Sequence, residues 1–255
     1  SEMNSQIEVD FKEPNFLIKN QLNYNNNSSL DGSTLLTLFN QNIEIDYKLE
    51  NNKITVSSPN NSNDIKIGAS IELKPFYLNS NIILNKQNIN FMIDELIFSL
   101  LNLEPYLLGN INGDIELLLT NIEHELLRSG KISFNISQNS INLREVLFNI
   151  GDIAQINSEI KYNEKDGDII FNSSNSLLIK NKNEFAKKFQ VRPDKVKNLD
   201  EIYFKVERNI NTRQISIFDI KINKVEYKDK NNSKLKYNIK NSQELRSLMK
   251  RIINS

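Results

Sequence analysis

The stretch Ile65–Leu84, IKIGASIELKPFYLNSNIIL, decides the fold class. Ile65, Ile67, Ala69 and Ile71 fall on one side of an extended chain and Lys66, Gly68, Ser70 and Glu72 on the other, until Pro75 stops the run and Tyr77 to Leu84 begins another. Successive side chains of a strand point to opposite faces, so this alternation marks strands with one face buried and one solvated. The same rhythm runs outward in both directions. Ile43, Ile45 and Tyr47 alternate with Asn42, Glu44 and Asp46, and Ile54 and Val56 repeat the pattern. Downstream it returns in Ile115, Leu117 and Leu119, in Ile132, Phe134 and Ile136, in Val146, Phe148 and Ile150, and in Ile202, Phe204 and Val206. About fifteen such segments favour a meandering antiparallel sheet over alternating α/β crossovers.

Three places break the rhythm. In Asn88–Leu103, Phe91, Met92, Leu96, Ile97, Leu100 and Leu101 recur at three- and four-residue intervals, and Pro105 follows. That spacing predicts a helix buried against the sheet. A short helix is expected over Asn183–Phe189, and an amphipathic one over Ser242–Ile253 with Leu245, Leu248, Met249 and Ile252 on one side. Asp166-Gly167 between Tyr162 and Ile169 is a hairpin signal, because the favoured two-residue turn needs positive φ at both positions. The apolar phase changes from Ile215 and Ile217 to Phe218, Ile220 and Ile222, which predicts a β-bulge.

Composition agrees. The 255 residues include 42 Asn and 35 Ile against 3 Ala and 7 Gly, and β-branched Ile favours pleated sheet. Part of that bias reflects A/T-rich codons. The longest apolar stretch, near Phe91–Leu103, carries Asp94, Glu95, Ser99 and Asn102, so nothing approaches the ~20 apolar residues of a membrane-crossing helix. With 32 basic and 32 acidic side chains the net charge is zero, yet residues 1–150 carry 10 basic and 18 acidic groups and residues 151–255 carry 22 and 14. The basic end, represented by Lys234, Lys236 and Lys240, suits anionic headgroups or an acidic partner, or is a solvated lysine-rich face.

Catalytic chemistry is not expected. The absence of Cys excludes disulfides, thiolate zinc and thiol catalysis. His124, the one imidazole, lies in Glu123-His124-Glu125, where the carboxylates would raise its pKa, but it has no Ser or Cys partner in a recognisable motif and reads as a surface side chain. No glycine-rich phosphate loop, nucleophile elbow or zinc-binding helix is present. Asp166-Gly167-Asp168 lacks the ligands of a calcium loop. No catalytic residue, metal or cofactor is therefore expected. Nucleic acid is not expected either, since Tyr227 and Tyr237 are the only aromatics after Phe218.

The stretch from Leu107, LLGNINGDIELLLTNIEHELLRSGKISFNIS, continuing through NEFAKKFQV to IYFKVERNINTRQISIFDIKIN, resembles the C-terminal region of AsmA-like envelope proteins of Gram-negative bacteria, the AsmA/TamB/YhdP group. The similarity rests on Gly109 and Gly113 opening a strand, Gly130 before KISFNIS, the strand-turn-strand around Asp166-Gly167, and the NEFAKKFQV segment before another strand pair. It covers roughly half of the chain. The resemblance implies a curved β-groove in the periplasm, tethered to the inner membrane by an N-terminal helix, that moves phospholipid or maintains the outer membrane. Ser1–Asn4 shows no such anchor, so membrane association would depend on a segment this sequence lacks.

The expected architecture is therefore a mostly-β, elongated, curved antiparallel sheet, a groove or a folded-over sheet, with two or three helices. Its segments are residues 1–87 (sheet), 88–105 (buried helix), 106–240 (AsmA-like sheet) and 241–255 (amphipathic helix), read as one continuous domain. The expected function is non-enzymatic binding of phospholipid acyl chains, with Ile132, Phe134, Ile136, Ile169 and Phe171 as contacts. The competing expectation is a closed β-scaffold with no lipid cavity, in which those residues are core and an edge or the basic end binds a protein.

Overall fold

The computed structural model describes residues 3–10, 17–25, 29–38, 41–59, 64–86, 112–137, 140–165, 168–209, 212, 214–227, 237–239 and 242–254. Sixteen strands follow in chain order: Met3–Asp10 (β1), Leu17–Asn25 (β2), Ser29–Leu38 (β3), Gln41–Glu50 (β4), Lys53–Ser57 (β5), Ile65–Leu73 (β6), Phe76–Asn85 (β7), Asn112–Thr120 (β8), Ser129–Ser137 (β9), Ser140–Ile150 (β10), Ala154–Lys165 (β11), Asp168–Ile179 (β12), Glu201–Asn209 (β13), Ile215–Ile222 (β14), Val225–Glu226 (β15) and Tyr237–Ile239 (β16). The helices among the described residues are Lys182–Phe189 (α1), Pro193–Val196 (α2) and Ser242–Asn254 (α3). Strands pair in sequence order from β1 to β15, with β16 on β14, and the sheet does not close on itself. The fold is mostly β, as the alternation predicts.

One pairing departs from the expected antiparallel meander. β7 and β8 are parallel, from Tyr77 opposite Asn112 to Asn85 opposite Thr120. A parallel pair needs a crossover of a dozen or more residues, and residues 86–111 supply it. The helix expected over 88–103 lies outside the described residues. Elsewhere the local signals hold. Lys165 pairs with Asp168, which makes the β11–β12 connection a two-residue hairpin. The phase change in β14 is a bulge: Tyr203 pairs with Lys221 but Lys205 with Phe218, leaving an extra residue on β14. Asp219 takes φ 58° there, and Lys205 lies 2.6 Å from its carboxylate and holds its pKa below the ordinary value. Val146, Phe148 and Ile150 belong to a longer strand, β10, whose phase switches at exposed Arg144 and Glu145.

The chain divides into two compact units, residues 1–87, 95–120 and 133–142, and residues 88–94, 121–132 and 143–255. In the second unit the core lies between strands and helices. Ile150, Ala154, Leu177, Ile202, Ile217 and Ile220 project from the sheet, and Phe185, Phe189, Val196, Leu248, Met249 and Ile252 meet them from the helical side. Asn181 caps α1 by accepting from Glu184 N at 3.1 Å, and Gln190 ends it in the left-handed conformation at φ 54°. Both expected helices form, and α3 buries the expected stripe of Leu248, Met249 and Ile252, although the Leu245 side chain lies outside the description.

The second unit also buries Asn175, 6 % exposed. Its amide donates to Ser173 Oγ (2.9 Å) and Phe204 O (3.3 Å), and its Oδ1 accepts from Ser158 Oγ (2.6 Å). Such a network favours the observed β11–β12–β13 register, because a slip leaves its members unpaired. Asn175→Ala is expected to lower unfolding free energy by about 1–3 kcal/mol, read as a reduced urea midpoint. An unchanged midpoint would show the network to be energetically idle.

Candidate functional site

Four of the five expected contact residues are buried in the chain rather than set along an open face. Ile132, Phe134 and Ile136 follow Gly130 on the buried face of β9 and are 4, 4 and 5 % exposed, while Phe171 on β12 is 7 % exposed. Their surfaces meet the chain's own atoms. The Ile169 side chain and Lys234, Lys236 and Lys240 lie outside the description.

An apolar face that is only half covered lies instead in the first unit. Leu49 of β4 pairs with Ile54 of β5, Ile54 with Ile71 of β6, and Ile71 with Leu78 of β7. All four share one side of the sheet, and all four are half-buried. A neighbouring row, Tyr47, Val56 and Ala69, is half-buried too and ends at buried Ser80. Further along, Ile65, Leu84 and Leu119 form a closed row, 2, 4 and 1 % exposed. The face thus grades from sealed at one end to accessible at the other. Four strands at about 4.8 Å spacing make the accessible track about 15 Å wide.

The opposite side of these strands is polar. Asp31, Ser33, Asp46, Lys48, Thr55 and Ser57 line a concavity of about 550 Å³. Lys48 pairs with Glu50 at 2.5 Å, and that carboxylate holds the ammonium above its ordinary pKa. Tyr77 Oη donates to the Asp114 carboxylate, which also accepts from Asn135 Nδ2 at 3.0 Å. The first unit's sheet is therefore amphipathic across its thickness, with hydrogen-bonding groups on one side and aliphatic ones on the other.

His124 is not the surface residue expected. It is half-buried in the loop between β8 and β9, and its Nδ1 accepts from Leu126 N and Leu127 N, each at 3.1 Å. Burial lowers its pKa below the usual 6.5, with Arg128 acting in the same direction and Glu125 opposing. The anticipated rise from flanking carboxylates is outweighed by desolvation. The residue pattern hid this because the two donors are backbone groups. A His two and three residues before Leu126-Leu127, in a link between strands, was the available cue.

Among the described residues no group of three or more His, Asp or Glu could hold a metal ion, and no helix is long and apolar enough to cross a membrane. No family model, no curated protein and no solved structure matches the chain.

Proposed function

We infer that this chain is a non-enzymatic, AsmA-like protein of the periplasm that shelters phospholipid acyl chains and supports lipid transport or outer-membrane maintenance. The observation that carries the reading is the half-covered aliphatic row Leu49–Ile54–Ile71–Leu78 on a sheet that does not close. An acyl chain laid on it gains about 0.8 kcal/mol for each methylene withdrawn from water, so a dozen methylenes supply roughly 10 kcal/mol before ordering costs. The row offers no charged partner for a headgroup, which would stay at the solvated margin. The AsmA-like resemblance supports the same reading and adds the envelope setting. With Ile132, Phe134, Ile136 and Phe171 buried, the contacts proposed for the acyl chain are those of β4–β7.

A second reading, a closed scaffold that binds a protein partner, is favoured by the burial of Ile132, Phe134, Ile136 and Phe171 and by the helices over the second unit's sheet. Native mass spectrometry of detergent-free protein after incubation with phosphatidylethanolamine and phosphatidylglycerol vesicles separates the two. Bound lipid is expected on the wild type, and Ile54→Glu with Ile71→Glu should reduce it about tenfold or more while circular dichroism stays unchanged. Lipid-free wild type, or undiminished lipid on the double variant, leaves the scaffold reading.

A further inference from the structure

The β8–β9 loop ties three parts of the second unit together. Ile122 N donates to Arg128 O at 2.9 Å and Arg128 N to Asn149 O of β10 at 2.9 Å, which close the loop onto the sheet. Glu125 faces the helices: its carbonyl accepts from Lys188 Nζ of α1 at 3.2 Å, and its carboxylate pairs with Arg246 of α3. Leu126, 5 % exposed, inserts into the core. What shapes the turn between these contacts is the pair of N–H groups converging on His124 Nδ1. A ring nitrogen that accepts two hydrogen bonds carries no proton, so the neutral imidazole bears its hydrogen on Nε2. Protonation would put a third N–H against the two donors. The imidazole does here what an Asn or Asp side chain does when it accepts from the backbone two and three residues ahead.

We propose that His124 is an acid-released latch, whose protonation frees the 122–128 turn and loosens its hold on α1 and α3. Glu125 favours the imidazolium and Arg128 disfavours it; Glu123, Lys188 and Arg246 complete the charges that the loop and the two helices bring to the turn. The folded-state pKa lies below the unfolded one, so the latch is fully engaged above the ordinary histidine value and is lost as pH falls through the lowered one. Chain regions away from the loop are not required to change.

The chain has one histidine, so its imidazole nitrogen signals are unambiguous in NMR. At about pH 7.5 the Nε2–H tautomer is expected, with the Leu126 and Leu127 amides protected from exchange. After correction for intrinsic rates, their protection should fall about tenfold by about pH 5. In His124→Asn, an acceptor that does not titrate, protection should persist over the same range. An Nδ1–H tautomer at neutral pH, pH-independent protection in the wild type, or the same acid loss in His124→Asn would overturn the latch.

Discussion

Phe185→Ala is expected to destabilise the second unit by about 3–5 kcal/mol, the largest effect of any single truncation considered. Phe185 is fully buried on α1, and its ring lies 4.5 Å from that of Phe189, so the substitution removes both a large apolar volume and an aromatic pair. Its surroundings cannot easily collapse into the space, because Leu177, Ile202 and Ala154 are held by strand pairing on one side and Ile252 by α3 on the other. A typical domain holds only about 5–15 kcal/mol in reserve, so the loss is a large fraction of the unit's stability. Thermal unfolding followed by circular dichroism should show a midpoint lowered by roughly 10 °C. Phe185→Leu, which keeps most of the volume, should cost about 1.5 kcal/mol or less. If the alanine and leucine variants melt together, volume at this site is not what the helical layer depends on.

Much of this architecture was legible because a strand writes its burial into every second residue. Ile65, Ile67 and Ile71 announced β6, the Asp166-Gly167 pair announced the β11–β12 hairpin, and the shift from Ile217 to Phe218 announced the bulge at Asp219. The stripe on α3 was equally readable from Leu248, Met249 and Ile252. Pairing direction was not, since alternation is the same in parallel and antiparallel strands; the β7–β8 pair could be inferred only by asking why a helical pattern interrupts the meander. Nor does alternation say what covers an apolar face. Ile132, Phe134 and Leu49, Ile54 give the same pattern, yet the first pair is sealed within the chain and the second is half open. That distinction depends on tertiary neighbours, and so the candidate site sits on strands that local pattern alone did not single out.

Two glycines of β8 and β9, Gly113 and Gly130, have a physical reason for being glycine, which Gly113→Ala exposes. Gly113 of β8 lies opposite Leu78 in the parallel pair, and a Cβ there would fall 2.9 Å from Leu78 Cβ and closer still to its carbonyl oxygen. Two effects compete. Replacing Gly by Ala in a strand restricts the unfolded chain and gains about 0.5–1 kcal/mol. Against this, contact with a backbone oxygen cannot be relieved by a rotamer change; β7 and β8 must separate, at a cost of about 3 kcal/mol, and the clash wins. Gly130 is a second tight position, where a Cβ would meet the Phe148 ring at 2.6 Å and Leu147 O at 3.0 Å, and turning the ring would relieve only the first. Gly68 serves as the control: its nearest neighbour would be Asn81 O at 3.9 Å, so Gly68→Ala should be neutral or slightly stabilising. Urea denaturation of the two alanine variants should therefore move in opposite directions or differ by about 2–3 kcal/mol. Equal midpoints would mean that the strands already stand far enough apart at Gly113 to admit a methyl group, and that glycine there reflects something other than close approach.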